Sequence, residues 1–190
     1  MRVKDELKQD ALFKATIKLV NEIGFVASSV SKIAREADVS PATIYVYYKN
    51  KEDLLLSTYI NIKQALSKEI LKDFDDSFPI RDTLRNLWFN MFKYISKYPE
   101  QFQYSEQFAN SPYCSLVNKA DLDAYFEPVY RVLNRGIEQK IIKNVSMDIL
   151  ATFIFYPIIT LANKRLCEDF SQNKDNIETA FILAWDAIKL

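Results

Sequence analysis

Apolar residues recur along this chain at the three-to-four-residue spacing of a helix face, not at the alternating spacing of strands. Over residues 5–22, Leu7, Ala11, Leu12, Ala15, Ile17, Leu19 and Val20 form one broad stripe, which predicts an amphipathic helix. Gly24 stands where a left-handed residue would end it. Ser29 can cap a short second helix, about Val30–Ala37, and Asp38-Val39-Ser40 reads as a tight turn. Pro41 suits the first turn of a third helix, because its missing N–H is not needed there. Further helices are expected at about 51–73, 77–97, 99–110, 122–140, 147–170 and 175–188. Pro128 is a candidate bend, Gly136 lies near a helix end, and Pro157 falls inside the apolar segment Ile149–Ala162. About nine helices and no strands make the expected fold class all-α.

The segment 29–51 then stands out. Ile33, Ala34 and Ala37, the turn residue Val39, and Ile44 and Tyr48 can close a small core. That leaves Pro41, Ala42, Thr43, Tyr45 and Tyr47 to face outward, followed at once by Lys49 and Lys51. Two short helices meeting at a tight turn, with small residues and hydroxyls at the start of the second, are how a chain presents a helix to the major groove. Pro41 and Ala42 can touch a thymine methyl. Thr43 and the tyrosine hydroxyls can donate to phosphate oxygens, and Ser40 is a good N-cap for the third helix. Ser31 and Lys32 can reach the opposite groove wall, and Lys49 and Lys51 suit phosphate contacts.

Composition narrows the choice of function. There is no histidine, so the commonest general base and metal ligand is missing, with every Ser–His or Cys–His pair. Two cysteines, Cys114 and Cys167, cannot build a zinc site alone and are expected as reduced, semi-buried thiols. An enzyme, a cofactor and a metal site are therefore not expected. Net charge is zero overall, but residues 1–51 carry nine basic and six acidic side chains, a net +3, and residues 52–190 a net −3. A mildly basic head on an acidic body suits a protein that meets a polyanion at one end. The start is charged (Arg2, Lys4, Asp5, Glu6, Lys8) and carries no apolar leader, and Ile149–Ala162 is too short to span a bilayer. The expected setting is cytoplasmic, with no membrane partner.

The motifs Asn21-Glu-Ile-Gly-Phe25, Ser29-Val-Ser-Lys-Ile-Ala34, Ala37-Asp-Val-Ser40, Ala42-Thr-Ile-Tyr-Val-Tyr-Tyr48 and Lys51-Glu-Asp-Leu54 resemble, in order and spacing, the head of the tetracycline-repressor (TetR) family. The resemblance covers about residues 8–56. It implies a helix-turn-helix DNA-binding domain over 1–50 (motif 29–48) and a larger helical ligand-binding and dimerisation domain over 51–190. It implies that Ser31, Ser40, Pro41, Ala42, Thr43, Tyr45 and Tyr47 face an operator duplex and that Lys51 contacts phosphate. The family usually has Gly where this chain has Asp38, and often Gly in place of Ala42. Asp tolerates the left-handed backbone, so the turn should survive.

The body is crowded with aromatic residues. At their helical spacing these residues read one by one as core packing; the resemblance implies that some of them, Trp88, Phe92, Phe102, Phe108, Phe126, Tyr130 and Phe155 as candidates, line a pocket for a small apolar or aromatic effector, with Glu106, Glu127 and Arg131 as polar contacts. Ile154, Ile158 and Leu161, with Phe181, Ala184 and Trp185, are candidates for a homodimer interface. The reading is a sequence-specific transcriptional repressor released from its operator by such a ligand. The alternative is a dimeric DNA-binding protein that answers to no ligand, or to a protein partner.

Overall fold

The computed structural model describes residues 2–190, with side chains from Asp5 onward, so the side chains of Arg2 and Lys4 lie outside the described residues. Ten α-helices follow one another: α1 (Arg2–Ala27), α2 (Val30–Glu36), α3 (Pro41–Tyr47), α4 (Lys51–Ile70), α5 (Ile80–Lys97), α6 (Pro99–Ala109), α7 (Lys119–Ala124), α8 (Glu127–Glu138), α9 (Met147–Leu161) and α10 (Lys174–Ile188), with a 3-10 turn at Pro112–Leu116. The described residues form no strand beyond one isolated bridge between Ile142 and Lys189.

The chain folds as two compact units. The first runs to Lys63 and also takes in Glu100–Lys119; the second holds Gln64–Pro99 and Ala120–Leu190. In the first unit, Leu12 and Ala15 of α1 meet Ile33 and Ala34 of α2, Ala37 just past its end, Ile44 of α3 and Leu54 of α4. Its second cluster is aromatic. The Phe25 ring lies 5.6 Å from Tyr104, 5.9 Å from Phe108 and 5.4 Å from Tyr113, and Tyr59 stacks on Phe108 at 4.4 Å. Polar ties fix α6 to the same place: Tyr104 donates its hydroxyl to the Leu55 carbonyl at 2.8 Å, and Asn21 donates to the Glu100 carbonyl at 2.9 Å. Phe108, a pocket candidate, is thus buried in the first unit's core, and Phe102, another, is buried too.

In the second unit α5 buries Leu84, Leu87, Trp88 and Phe92 against the inward faces of α8, α9 and α10. The Trp88 indole N–H donates to the Ile154 carbonyl at 2.8 Å, so this large buried ring leaves no polar atom unsatisfied. Arg85 of α5 grips Glu178 of α10 through two of its nitrogens while its guanidinium lies 4.5 Å over the Phe89 ring.

Several expected boundaries move, each for a local reason. Gly24 takes φ 77°, so regular helix stops there as anticipated, although one more turn follows to Ala27. The single helix expected over 122–140 is two, because Pro128 occupies the first turn of α8 and does not bend a longer helix. The helix expected to reach residue 170 ends at Leu161. Gln172 folds back to donate to the carbonyls of Leu161 and Ala162 at 3.3 and 3.2 Å, which satisfies two of the orphaned acceptors of that end. At the end of α8, Gly136 lies directly under the Ile142 side chain. Cys167 is half-buried, but Cys114 is exposed and not the semi-buried thiol expected; both are free.

Candidate nucleic-acid interface

The first unit builds a helix-turn-helix from capped pieces. The Ser29 side chain accepts from the Lys32 backbone N–H at 3.3 Å and starts α2. Ser40 does the same for the Thr43 N–H at 3.3 Å, and Pro41 occupies the first turn of α3. Between them Asp38 sits at φ 53°, in the left-handed region that its short polar side chain tolerates better than most. The turn is closed by the Val39 N–H, which donates to the Ala34 carbonyl at 2.9 Å.

Burial of Ile44 fixes how α3 is rolled. A residue two positions on lies about 200° around a helix, so Val46 points directly outward and is 74% exposed, beside Tyr45 at 58%. Ser40, Pro41 and Ala42 are exposed as well, and Thr43 is half-buried with its hydroxyl 3.0 Å from that of Ser40. The outward face of α3 is therefore Pro41, Ala42, Tyr45 and Val46, small and apolar apart from one phenol. Ser31 and Lys32 on α2 and Lys49 just past α3 are exposed too, though the Lys32 ammonium donates to the Ala27 carbonyl at 3.1 Å.

Two of the expected contact residues are placed differently. Tyr47 lies three positions from Ile44 and so turns towards the core; it is half-buried, and its hydroxyl donates to the Asp5 carboxylate of α1 at 3.0 Å. Burial, with Asp5 behind it, pushes its hydroxyl's pKa up, so it stays a donor at neutral pH. Lys51 is half-buried, and its ammonium donates to the Phe25 carbonyl at 2.6 Å. Its first role is to tie the start of α4 to the end of α1. Val46 was not anticipated, although its spacing from Ile44 was a sufficient signal.

The body residues also sort differently. Trp88 and Phe92 are core, stacked at 5.7 Å, while Phe126, Tyr130 and Phe155 are half-buried. Arg131 is paired with Asp76 at 3.0 Å and with Glu127 at 3.6 Å, so it and Glu127 brace the loop before α5. Glu106 lies half-buried on α6. Ile154, Ile158, Phe181, Ala184 and Trp185, expected at a dimer interface, are buried inside the protomer and Leu161 is half-buried. The apolar side chains that α9 and α10 expose are their neighbours: Ile149, Phe153 and Tyr156, and Ile182 and Leu183. No helix of the described residues is long and apolar enough to cross a membrane.

Comparison with known proteins agrees with this architecture. Residues 12–58 match the sequence model of bacterial regulatory proteins of the tetR family, and residues 79–189 match that of the tetracyclin repressor-like C-terminal domain. The crystal structure of a TetR family transcription regulator from Marinobacter aquaeolei is 34% identical and superposes with a TM-score of 0.92, covering 100% of this chain and 99% of its own. An uncharacterized HTH-type transcriptional regulator of Haemophilus influenzae is 25% identical over 184 residues, 95% of each chain. The fatty acid metabolism regulator protein of Bacillus subtilis is 46% identical over 48 residues, 25% of each chain.

Proposed function

Because the chain belongs to the TetR family of bacterial transcription regulators, and is not an enzyme, we propose that it is a homodimeric repressor, released from its operator by a small apolar or aromatic ligand. A regulator of transcription works beside the chromosome, so its setting is cytoplasmic. The observation that carries the DNA half of this reading is the capped, outward α3 with Pro41, Ala42, Tyr45 and Val46 on one face. Such a face reads DNA by apolar contact with thymine methyls and by shape, more than by long polar side chains. Phosphate contacts then come from exposed hydroxyls, from the Ser31 end of α2 and from Lys49.

A single short head makes too few contacts for a specific complex; two on adjacent half-sites make enough. The exposed Phe153, Tyr156 and Leu183 support pairing of α9 and α10 with their copies about a two-fold axis. A ligand between α5 and α9 would act through α4, which begins in the first unit and ends in the second. Moving it changes the spacing of the two heads. Coupling of this kind is reciprocal, so operator DNA must weaken ligand binding by the same factor.

A second reading draws on the body's packing. The rings of Phe92 and Phe181 lie 5.7 and 6.0 Å from that of Trp88, and all three are buried, which favours a body that serves dimerisation alone.

The test is retardation of DNA from the protein's own upstream region, across a salt series and with competitor DNA. A competitor-resistant complex holding two protomers per site supports the repressor. A complex that forms but is released by no member of an apolar ligand library favours the second reading. Binding abolished by competitor on every fragment of the upstream region argues against both on that DNA.

A further inference from the structure

We propose that Asp5, held in place by the Tyr47 hydroxyl, is a fixed negative charge at the edge of the DNA-binding face that weakens sequence-independent contact with the phosphate backbone. Tyr47 is the last residue of α3, and its ring packs on the core of the head beside Tyr48 at 6.5 Å. The hydroxyl is thereby fixed in space. Across 42 positions of chain, it donates to one oxygen of an exposed carboxylate at 3.0 Å. Val46, on the exposed face of α3, is the preceding residue, about 100° around the same helix, so the pair lies at the flank of that face.

A carboxylate beside a surface that meets a polyanion opposes binding, because every phosphate brought near it is repelled. Tyr47 makes this opposition persistent: a free Asp side chain would rotate away from an approaching phosphate, and a hydrogen-bonded one does not. The same bond occupies the phenol, so Tyr47 does not offer its O–H to DNA while the pair is closed. An operator site can meet the charge in one of two ways, by seating its phosphates clear of Asp5 or by opening the pair in return for other contacts. Arbitrary duplex has no such contacts to give. Asp5 and Tyr47 therefore act as a selectivity pair, and Asp5 gains its effect by lowering the background against which the operator is found. One unscreened charge about 5 Å from a phosphate in water is worth about a fourfold change in affinity.

The experiment uses the full-length protein and a fluorescent duplex of about 30 base pairs of mixed sequence, titrated by anisotropy at about 0.1 M salt. Asp5→Asn keeps an acceptor for Tyr47 and removes the charge; screening at this salt leaves about twofold tighter binding as the expected gain, growing towards fourfold as salt is lowered and shrinking as it rises. Asp5→Glu restores the charge and should bind as the parent does. Tyr47→Phe removes the donor and frees the carboxylate, so binding equal to the parent or tighter is expected. Unchanged or weaker binding by Asp5→Asn overturns the proposal. Weaker binding by Tyr47→Phe with an unchanged melting temperature also overturns it, because the hydroxyl is then a phosphate donor. Failure of the parent and all variants to bind the duplex at low salt overturns it too, since no background contact would exist for Asp5 to oppose.

Discussion

The Lys51 ammonium donates to the carbonyl of Phe25 at 2.6 Å, joining the first turn of α4 to the last turn of α1. The ring of that same Phe25 is set among Tyr104, Phe108 and Tyr113. One residue thus receives a backbone tie from the side of α3 and α4 and an aromatic contact from α6. Lys51 is placed to hold the head's helices in register, and a lysine in a position that invites a phosphate contact is already engaged.

Lys51→Met keeps the aliphatic stem and removes the donor. It should lower stability by about 1.5–3 kcal/mol, the range for a hydrogen bond involving a charged group. DNA affinity should fall with the salt slope of binding unchanged. A slope reduced by about one charge with an unaltered melting curve would instead assign Lys51 to phosphate.

Phe153→Glu or Leu183→Glu places a charge on side chains that are 55% and 66% exposed in the protomer. Each variant should fold, sediment as a monomer and lose DNA binding with its partner. Ile154→Ala, one position away but fully buried, should leave association intact and cost about 2–5 kcal/mol of stability. Dimers that persist in both charged variants would move the interface elsewhere.

Gly136→Ala would drive a methyl into the Ile142 side chain, with its Cγ1 2.8 Å away and its Cδ1 nearer still. A loss of about 1–3 kcal/mol is expected from overpacking. Ile142→Val removes the terminal methyl and should recover part of that loss in the double variant. Additive losses in the double-mutant cycle would show that the two residues do not meet.

The Arg85 guanidinium holds the Glu178 carboxyl below its ordinary value of 4.5 by hydrogen bonding to it. A carboxyl depressed in the folded state contributes stability that is complete above its unfolded value. That contribution is lost as pH falls through the folded one. Glu178→Gln should therefore cost about 1 kcal/mol at neutral pH. Wild type and variant should converge on melting as pH drops below about 4.5 and stay a constant distance apart above it. A gap that persists unchanged to pH 3 would mean that the pair contributes through packing alone.

Helices declared by local chemistry were legible in the sequence. Ser29, Ser40 and Pro41 start α2 and α3 where their side chains and fixed φ require, and Asp38 turns the chain between them. Less legible was anything set by partners distant in the chain. Nothing local announces that Gln172 will cap α9, or that Lys51 and Tyr47 will be taken by Phe25 and Asp5. Apolar helices such as α9 and α10 hide their roll as well. Ile154 and Phe153 are equally greasy, and only the packing of α5 decides which is core. On α3 the roll was recoverable, because the one buried anchor, Ile44, fixes Val46 opposite it.

The first unit is built from two stretches, one ending at Lys63 and the other spanning Glu100–Lys119. This has a consequence for biosynthesis. At about 5–20 residues per second, the ribosome delivers the helix-turn-helix several seconds before it delivers α6. During that interval Phe25 and Tyr59 have no Tyr104 or Phe108 to cover them, and the nascent head presents an aromatic surface to the cell. The head can fold completely only after residue 119 has left the exit tunnel. A gene fragment ending at residue 63 would make that transient exposure permanent, and its product should be a substrate for chaperones and proteases rather than a minimal DNA-binding module.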